Sequence, residues 1–452
     1  AARPWAGIRV LAFFICANIL IGNGMMLIKQ HPLVKTLLSL RGNPKACVLT
    51  EPLWGIPYNL YAPYVSVYML ALGLKDSQIG LLVSIGFAFQ MVGAVLGGAI
   101  TDKLGRRKTT AIFDFISWSI PTLIWAIAQD FRYFLVAAIF NGAWRVTHTS
   151  WSCLMVEDAD PDQLIDIYSW INIAGLLVAF FAPLAGVLVN RYSLVPTMRG
   201  LYWFAFVMMT IKFLTLYLFS TETKQGQVRM EETRHQSLFH LVGGYGDVFK
   251  QILRSPRTLY TLGIMVVMSL ATTIGNTFWA IIVTQKIHIP EGELALYPFA
   301  RSVIMLVFFF LAMPRIKEAH FRNPMMIGFA LLAVSQLILI LIPEKSYLLL
   351  LLSTLLEACS YATVSTQVDR MTVVTIEPQE RARIMSMLFL VVIAVTTPFG
   401  YIAGKLSEVN RSLPFILDIG LYITGILLVF LAARHPANQP EAETQEPVEA
   451  AA

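Results

Sequence analysis

The chain has 452 residues, of which 56% are hydrophobic and only 14% are charged, with a formal net charge of +6. An ordinary soluble domain carries roughly 25% charged residues, so the composition excludes an independent soluble domain. It points to a membrane protein, because a helix that crosses a bilayer takes about 20 consecutive apolar residues and the sequence supplies such runs repeatedly.

The first apolar run covers 8–28. Its polar residues Arg9, Asn18 and Asn23 share no helical face, which argues for a buried or spanning helix over an interfacial one. No small-residue cleavage pattern follows it before Lys29 and His31, so a signal peptide is not the expected reading. Twelve further runs follow near 52–72, 79–101, 109–128, 132–154, 168–190, 200–221, 258–285, 296–313, 324–342, 347–371, 383–405 and 411–433. The polar stretch 222–257 divides six spans from six. The expected organisation is an N-terminal extension over 1–50, a six-helix bundle over 51–221, the inter-bundle loop 222–257, a second bundle over 258–434, and a disordered tail over 435–452 that lacks apolar periodicity.

The halves echo each other. After the fourth span of the first half comes Asp160-Pro161-Asp162-Gln163 and then a helix with Pro183. The matching place in the second half has Glu377-Pro378-Gln379-Glu380 and a helix with Pro398. Repeated halves with a site between them near the midplane are a common transporter plan. Positive charge sets the orientation. Lys103, Arg106, Arg107 and Lys108, then Arg315, Lys317 and Arg322, then Arg370, Arg381 and Arg383 all fall on one side, with Lys224, Arg229, Arg234, Lys250, Arg254 and Arg257 of the central loop. That side is expected to be the cytoplasm of a multi-pass cell-membrane protein, and the C-terminus lies there too. The acidic loop 155–167 breaks the pattern, although acids count little in this rule. The four cysteines Cys16, Cys47, Cys153 and Cys359 show no paired spacing, so neither a disulfide framework nor a metal site is expected.

The loop after the second span reads Gly98-Ala99-Ile100-Thr101-Asp102-Lys103-Leu104-Gly105-Arg106-Arg107-Lys108. Gly98 permits close helix approach and Gly105 a tight turn, and Asp102 at a helix end can tie Arg106 and a facing helix terminus into a charge network between the halves. The run resembles the signature loop of the major facilitator superfamily at every defined position. The resemblance implies a twelve-helix all-α membrane fold of two pseudo-symmetric six-helix bundles, here with an extra N-terminal apolar helix. It also implies a gating role for Gly98, Asp102, Lys103, Gly105, Arg106 and Arg107 as a latch of the outward-open state. The second-half counterpart, Pro314 to Pro324, is degenerate, and the fourth-span Arg-x-x-Gln-Gly pattern of many proton-driven drug exporters is absent.

The resemblance further implies that the first and fourth helices of each half line a cavity, so polar residues there carry the interest, since membrane cost otherwise excludes them. Helix 1 offers Glu51, Trp54, Tyr58, Asn59, Tyr61, Tyr64 and Tyr68. Helix 4 offers Asn141, Trp144, Arg145, His148 and Trp151, with Asn141, Arg145 and His148 on one face. Helix 7 adds Thr272, Thr273, Asn276, Trp279 and Gln285, and helix 10 adds Glu357, Ser360, Tyr361, Thr363 and Gln367. The substrate candidates are Arg145, Trp144, Asn141, Tyr61, Asn59, Asn276, Trp279 and Tyr361. A guanidinium stays charged in the membrane, so Arg145 either pairs with Glu51 or Asp114 or anchors an anionic substrate. Glu51, Asp114, His148 and Glu357 are the candidates for a coupling proton, His148 being readable also as a satisfied interior histidine. Arg301 and Lys212 either snorkel or face the cavity.

No nucleotide loop, Walker sequence or His-Glu-x-x-His run is present, so enzyme chemistry lacks support and no cofactor is expected. Without a nucleotide site the energy must come from a gradient. The expectation is a secondary transporter, a monomer in the lipid bilayer with no nucleic-acid partner, moving a small amphiphilic or anionic organic solute with a proton or another ion. Two alternatives are multidrug or lipid-like efflux and a transport-inactive sensor or scaffold.

Overall fold

In a bilayer every backbone polar group has to be satisfied within the protein, which leaves the helix as the natural state of these apolar runs. The computed structural model describes residues 40–160, 163–236, 252–311, 321–375 and 381–434, and every regular element among them is helical. The run 8–28, the loop residues Arg315 and Lys317, the repeat segment 377–380 and the tail from 435 lie outside the described residues.

The first half comprises α1 (Gly42–Tyr61 and Val65–Ala71), α2 (Asp76–Leu104), α3 (Arg106–Asp114 and Ile120–Ala126), α4 (Phe131–Asn141 and Trp144–Val156), α5 (Leu164–Val178 and Ala182–Tyr192) and α6 (Leu194–Phe219). A short helix, Lys224–Glu232, follows within the stretch expected to be a loop, with Thr223 capping it by accepting from the Gly226 N–H at 2.9 Å. The second half comprises α7 (Pro256–Gln285), α8 (Leu296–Leu311), α9 (Arg322–Leu341), α10 (Tyr347–Thr375), α11 (Arg381–Val409) and α12 (Leu413–Arg434). Eight of these, α2, α5 to α7 and α9 to α12, are long and apolar enough to cross a membrane. The remaining four are interrupted or short, and the set is compatible with twelve crossings. Helix α1 starts at Gly42 instead of 52, which places Glu51 near the middle of its first segment and not at the helix edge.

The distribution of side chains is that of a protein solvated by lipid. Val187, Leu214, Leu218, Ile327 and Leu348 stand more than half exposed, whereas Ser117, Thr122, Ser335, Thr396 and Asp418 are fully buried. Four helices of the first half are broken in mid-course. Pro63 sits in a 3-10 turn of α1, a π-helical turn covers Phe115–Ser119 of α3, Gly142 interrupts α4, and a 3-10 turn precedes Pro183 in α5. Pro63, Trp118, Asn141 and Ala179, at or beside these breaks, border one cavity. Irregular backbone at membrane depth is tolerated where it lines such a space.

Candidate functional site

The signature loop forms a charge network at one end of the first half. Gly105 has φ +84° and ψ 162°, a region that is essentially glycine-only. A Cβ there would also run into the Glu222 carboxylate and meet Met230 Sδ at 2.7 Å. The Glu222 carboxylate accepts from the backbone N–H groups of Arg106 (2.8 Å) and Arg107 (3.1 Å), so it caps the N-terminus of α3. The Arg106 guanidinium donates to Asp102 at 3.0 Å and, through Nε and Nη2, to Glu157 at 3.0 Å each. Arg229 of the short helix donates to the other Asp102 oxygen at 3.0 Å, Lys103 reaches the Gln236 carbonyl at 2.9 Å, and Arg107 donates to the Tyr217 carbonyl at 2.9 Å. Among the described residues the partners of Asp102 and Arg106 in this conformation thus come from α2, α3, the end of α4, Glu222 and the short helix, and none from the second half. A correction concerns Gly98, where an added Cβ would meet nothing within 4 Å. The close approach of α2 to α4 is made by Gly97, where an added Cβ would lie 3.3 Å from Val146 Cα, and by Gly93, where it would lie 3.2 Å from the Gly142 carbonyl.

These geometries separate two glycines of one motif. Gly105→Ala is expected to destabilise the chain by about 1–3 kcal/mol through its backbone alone, whereas Gly98→Ala is expected to be neutral or to stabilise by up to about 1 kcal/mol. Melting temperatures of the purified variants check this, and equal losses in both would contradict it.

Between the halves lies a cavity of about 940 Å³. The first half lines it with Glu51, Asn59, Tyr61, Asp114, Asn141, Trp144, Arg145 and His148, and the second with Asn276, Trp279, Glu357 and Tyr361. Every substrate or proton candidate taken from the sequence therefore faces the same space. Ser360, Thr363 and Gln367 do not; they are buried within the helix packing of α10.

Several cavity residues have structural partners. Asn141 donates to the Ser117 carbonyl at 2.8 Å, satisfying the backbone of the π-helical turn, and Asn59 donates to the Gly55 carbonyl at 2.8 Å. Tyr61 packs against Tyr58, Trp125 and Tyr202 in an aromatic cluster. Tyr68, one of that cluster's neighbours, donates to the Trp125 carbonyl at 3.0 Å. Glu51 is paired with Lys212 of α6 at 3.0 Å, and Asp114 accepts from Thr147 Oγ1 at 2.7 Å. Arg301 of α8 pairs with Glu357 of α10 at 3.3 Å and lies 5.2 Å from the Tyr361 ring.

Arg145 differs from the other two cations. The carboxylates expected to pair with it are otherwise engaged, and among the described residues its guanidinium makes no ion pair and its Nε no hydrogen bond. It lies over the Trp144 ring at 4.4 Å, and Trp144 in turn meets His148 edge-on at 5.6 Å. A cation on an aromatic shelf that lines the cavity offers both charge and apolar contact.

A model of the Major Facilitator Superfamily matches residues 54–318. The chain belongs to the major facilitator superfamily. Family and fold make it a multi-pass membrane transporter. Among solved structures it is similar to the nucleoside transporter NupG, with a TM-score of 0.67 at 16% identity over 87% of this chain and 99% of that one. It is also similar to the human organic anion transporter MFSD10, with a TM-score of 0.59 at 16% identity over 88% and 100%. In sequence it matches the quinolone resistance protein NorA of Staphylococcus aureus at 31% identity over 84 residues, which is 19% of this chain and 21% of that protein.

Superfamily transporters expose a central site alternately on the two sides, so the contacts between halves define the state. Among the described residues they gather at the end remote from the signature loop. Gly80 of α2 packs against the Gly400 carbonyl and Gly404 of α11, and Gly404 is 2.7 Å, measured from its Cβ position, from the Asp76 carbonyl. Ser407 donates to Asp76 at 2.6 Å, the Tyr401 N–H donates to Ser84 Oγ at 2.9 Å, and Arg411 lies 3.7 Å from Asp76. Beside this seam Gly186 of α5 abuts the Gly292 carbonyl. Small residues allow two helices to approach to backbone contact, and here they close one end of the cavity. The sequence reading missed this seam, although the glycine-rich runs of α2 and α11 carry its signal.

Proposed function

We propose that the chain carries an organic anion with an apolar or aromatic body by alternating access, coupled to protons. The observation that supports it most is Arg145, a cavity-facing guanidinium with no carboxylate partner among the described residues, beside two cavity cations, Lys212 and Arg301, that are each paired. Unpaired charge in a membrane interior is costly, so its retention argues for a ligand that supplies the counter-charge. A carboxylate or phosphate matches the planar guanidinium by bidentate hydrogen bonding, and Trp144, Trp279 and Tyr361 offer apolar surface around it. Glu51 and Glu357 are the coupling carboxylates in this reading, because each faces the cavity and each is bound to a cation that substrate could draw away. In this reading the signature end, with its basic loops, lies in the cytoplasm, and a cavity closed by the seam at the other end corresponds to the inward-facing state. In the opposite state the Asp102 network would serve as the latch.

The alternative, export of amphiphilic compounds, draws on the partial likeness to NorA and on the aromatic lining. Thermal-shift measurements on the purified full chain separate the two. Aromatic carboxylates and alkyl phosphates are expected to raise the melting temperature, with about 2.7 kcal/mol of stabilisation at a hundredfold excess over Kd. Stabilisation by cationic amphiphiles and not by anions would favour the exporter and remove the anion reading.

A further inference from the structure

The second half contains a carboxyl group outside the four helices that the family resemblance singles out. Asp418 lies in α12, on the same face as Phe415 and Tyr422, which both line the cavity. Asp418 itself is 0% exposed and neither of its carboxyl oxygens has a hydrogen-bond partner among the described residues. A carboxylate in that setting carries the full penalty of an unpaired buried charge, while the neutral acid carries little of it. The site is therefore suited to hold a proton.

The groups that face it among the described residues are few. Glu357 of α10 acts on it electrostatically, and Glu357 is itself held by Arg301 of α8 at 3.3 Å. Tyr422 follows one turn later on α12, and Gln336 of α9 stands beside Tyr422 with its Oε1 unpartnered. The helices α7 and α11 carry their charges toward their ends, at Arg257, Arg381, Arg383, Lys405 and Glu408. Lys286, just past α7, is occupied with Ser412 Oγ and the Ile340 carbonyl, both at 2.6 Å.

We propose that Asp418 is a proton-holding site behind the cavity wall and that the Arg301–Glu357 pair is the gate between it and the cavity. In the phase of the cycle in which Asp418 has given up its proton, an anion that draws Arg301 away frees Glu357 to accept a proton from hydronium in the cavity, leaving water. Glu357 passes this proton to the Asp418 carboxylate and returns to the ionised, Arg301-bound form, so one proton is taken up and no other bond changes. The transport role rests on the proton-coupled reading above, but proton occupancy of Asp418 does not.

Infrared difference spectroscopy tests the site on the purified full chain in lipid, titrated from acid to alkaline pH without substrate. The wild type is expected to show the C=O stretch of a protonated carboxyl free of hydrogen bonds. Asp418→Asn is expected to lose that band, Asp418→Glu to shift it, and Glu357→Gln to keep it while changing the pH at which it disappears. An unchanged band in Asp418→Asn overturns the proposal. If that variant fails to fold, an unshifted band in Asp418→Glu overturns it equally. Uptake by the wild type under a pH gradient is read separately, so a failure of coupling is distinguishable from a failure of the site.

Discussion

Arg145→Gln is expected to lower the uptake of an organic anion by roughly thirtyfold to several thousandfold while leaving the fold intact. Removing one member of a buried, hydrogen-bonded charge pair costs about 2–5 kcal/mol, and each 1.4 kcal/mol is a factor of ten. The lost pair here is the one between protein and ligand, so the cost falls on transport. In the ligand-free protein Arg145 has no ion pair to lose among the described residues, and the melting temperature is expected to hold or rise on substitution. Lys212→Gln provides the contrast. It would strand Glu51, now 3.0 Å from the ammonium group, and breaking a buried pair in this way costs about 3–5 kcal/mol of stability. Arg145→Lys is expected to restore part of the transport only, because a point charge lacks the bidentate fork. Parallel measurement of melting temperature and uptake in the three variants checks this pattern. A destabilised Arg145→Gln with normal uptake by the protein that remains folded would assign Arg145 to structure instead.

Gly80→Val is expected to shift the chain out of the conformation described here. A side chain at Gly80 would occupy the place of the Gly400 carbonyl and crowd Gly404 Cα, 3.0 Å from the Cβ position. Overpacking of this kind costs about 1–3 kcal/mol. Because the two halves are separate bundles at this seam, the strain is relieved by parting them. A shift of that size changes the population ratio by roughly five- to a hundredfold. The readout is the reaction of an impermeant thiol reagent with a cysteine placed at Ser407, which is 3% exposed and bonded to Asp76 in the closed seam. Labelling is expected to accelerate in Gly80→Val and to stay unchanged in Gly86→Val, where a Cβ meets nothing within 4 Å. Equal labelling in both would show that the seam does not set the conformation.

What the sequence made legible followed from one-dimensional rules. Apolar run length marked the helices; the family resemblance picked out the first and fourth helices of each half, and within them the cost of polar groups in a bilayer marked Glu51, Asn141, Arg145, Asn276 and Glu357. The partners were not legible, because Lys212 with Glu51 and Arg301 with Glu357 meet only once α1 packs on α6 and α8 on α10. Glu222 is more than a hundred positions from the α3 terminus that it caps, and no spacing rule connects them. Helix α1 begins at Gly42, ten residues before the apolar run that marked it. Pro44 falls in the first helical turn, where a missing N–H has no partner to lose. Gly98 illustrates the opposite error, since a glycine in a motif was taken for a packing site that Gly93 and Gly97 in fact supply. Asp418 was visible throughout as a lone carboxyl in an apolar run, but attention to the four helices that the family resemblance favours passed over α12.

The proposed carrier is driven by a proton gradient and holds its anion at Arg145. The most direct measurement is uptake of a radiolabelled anion, one that raises the melting temperature, into proteoliposomes of the unmodified chain with and without an imposed pH gradient. Transient accumulation above the equilibrium level is expected under the gradient, abolished by a protonophore and by Arg145→Gln. Uptake that is identical with and without the gradient would contradict the coupling, and uptake no greater than in protein-free vesicles would contradict the carrier itself.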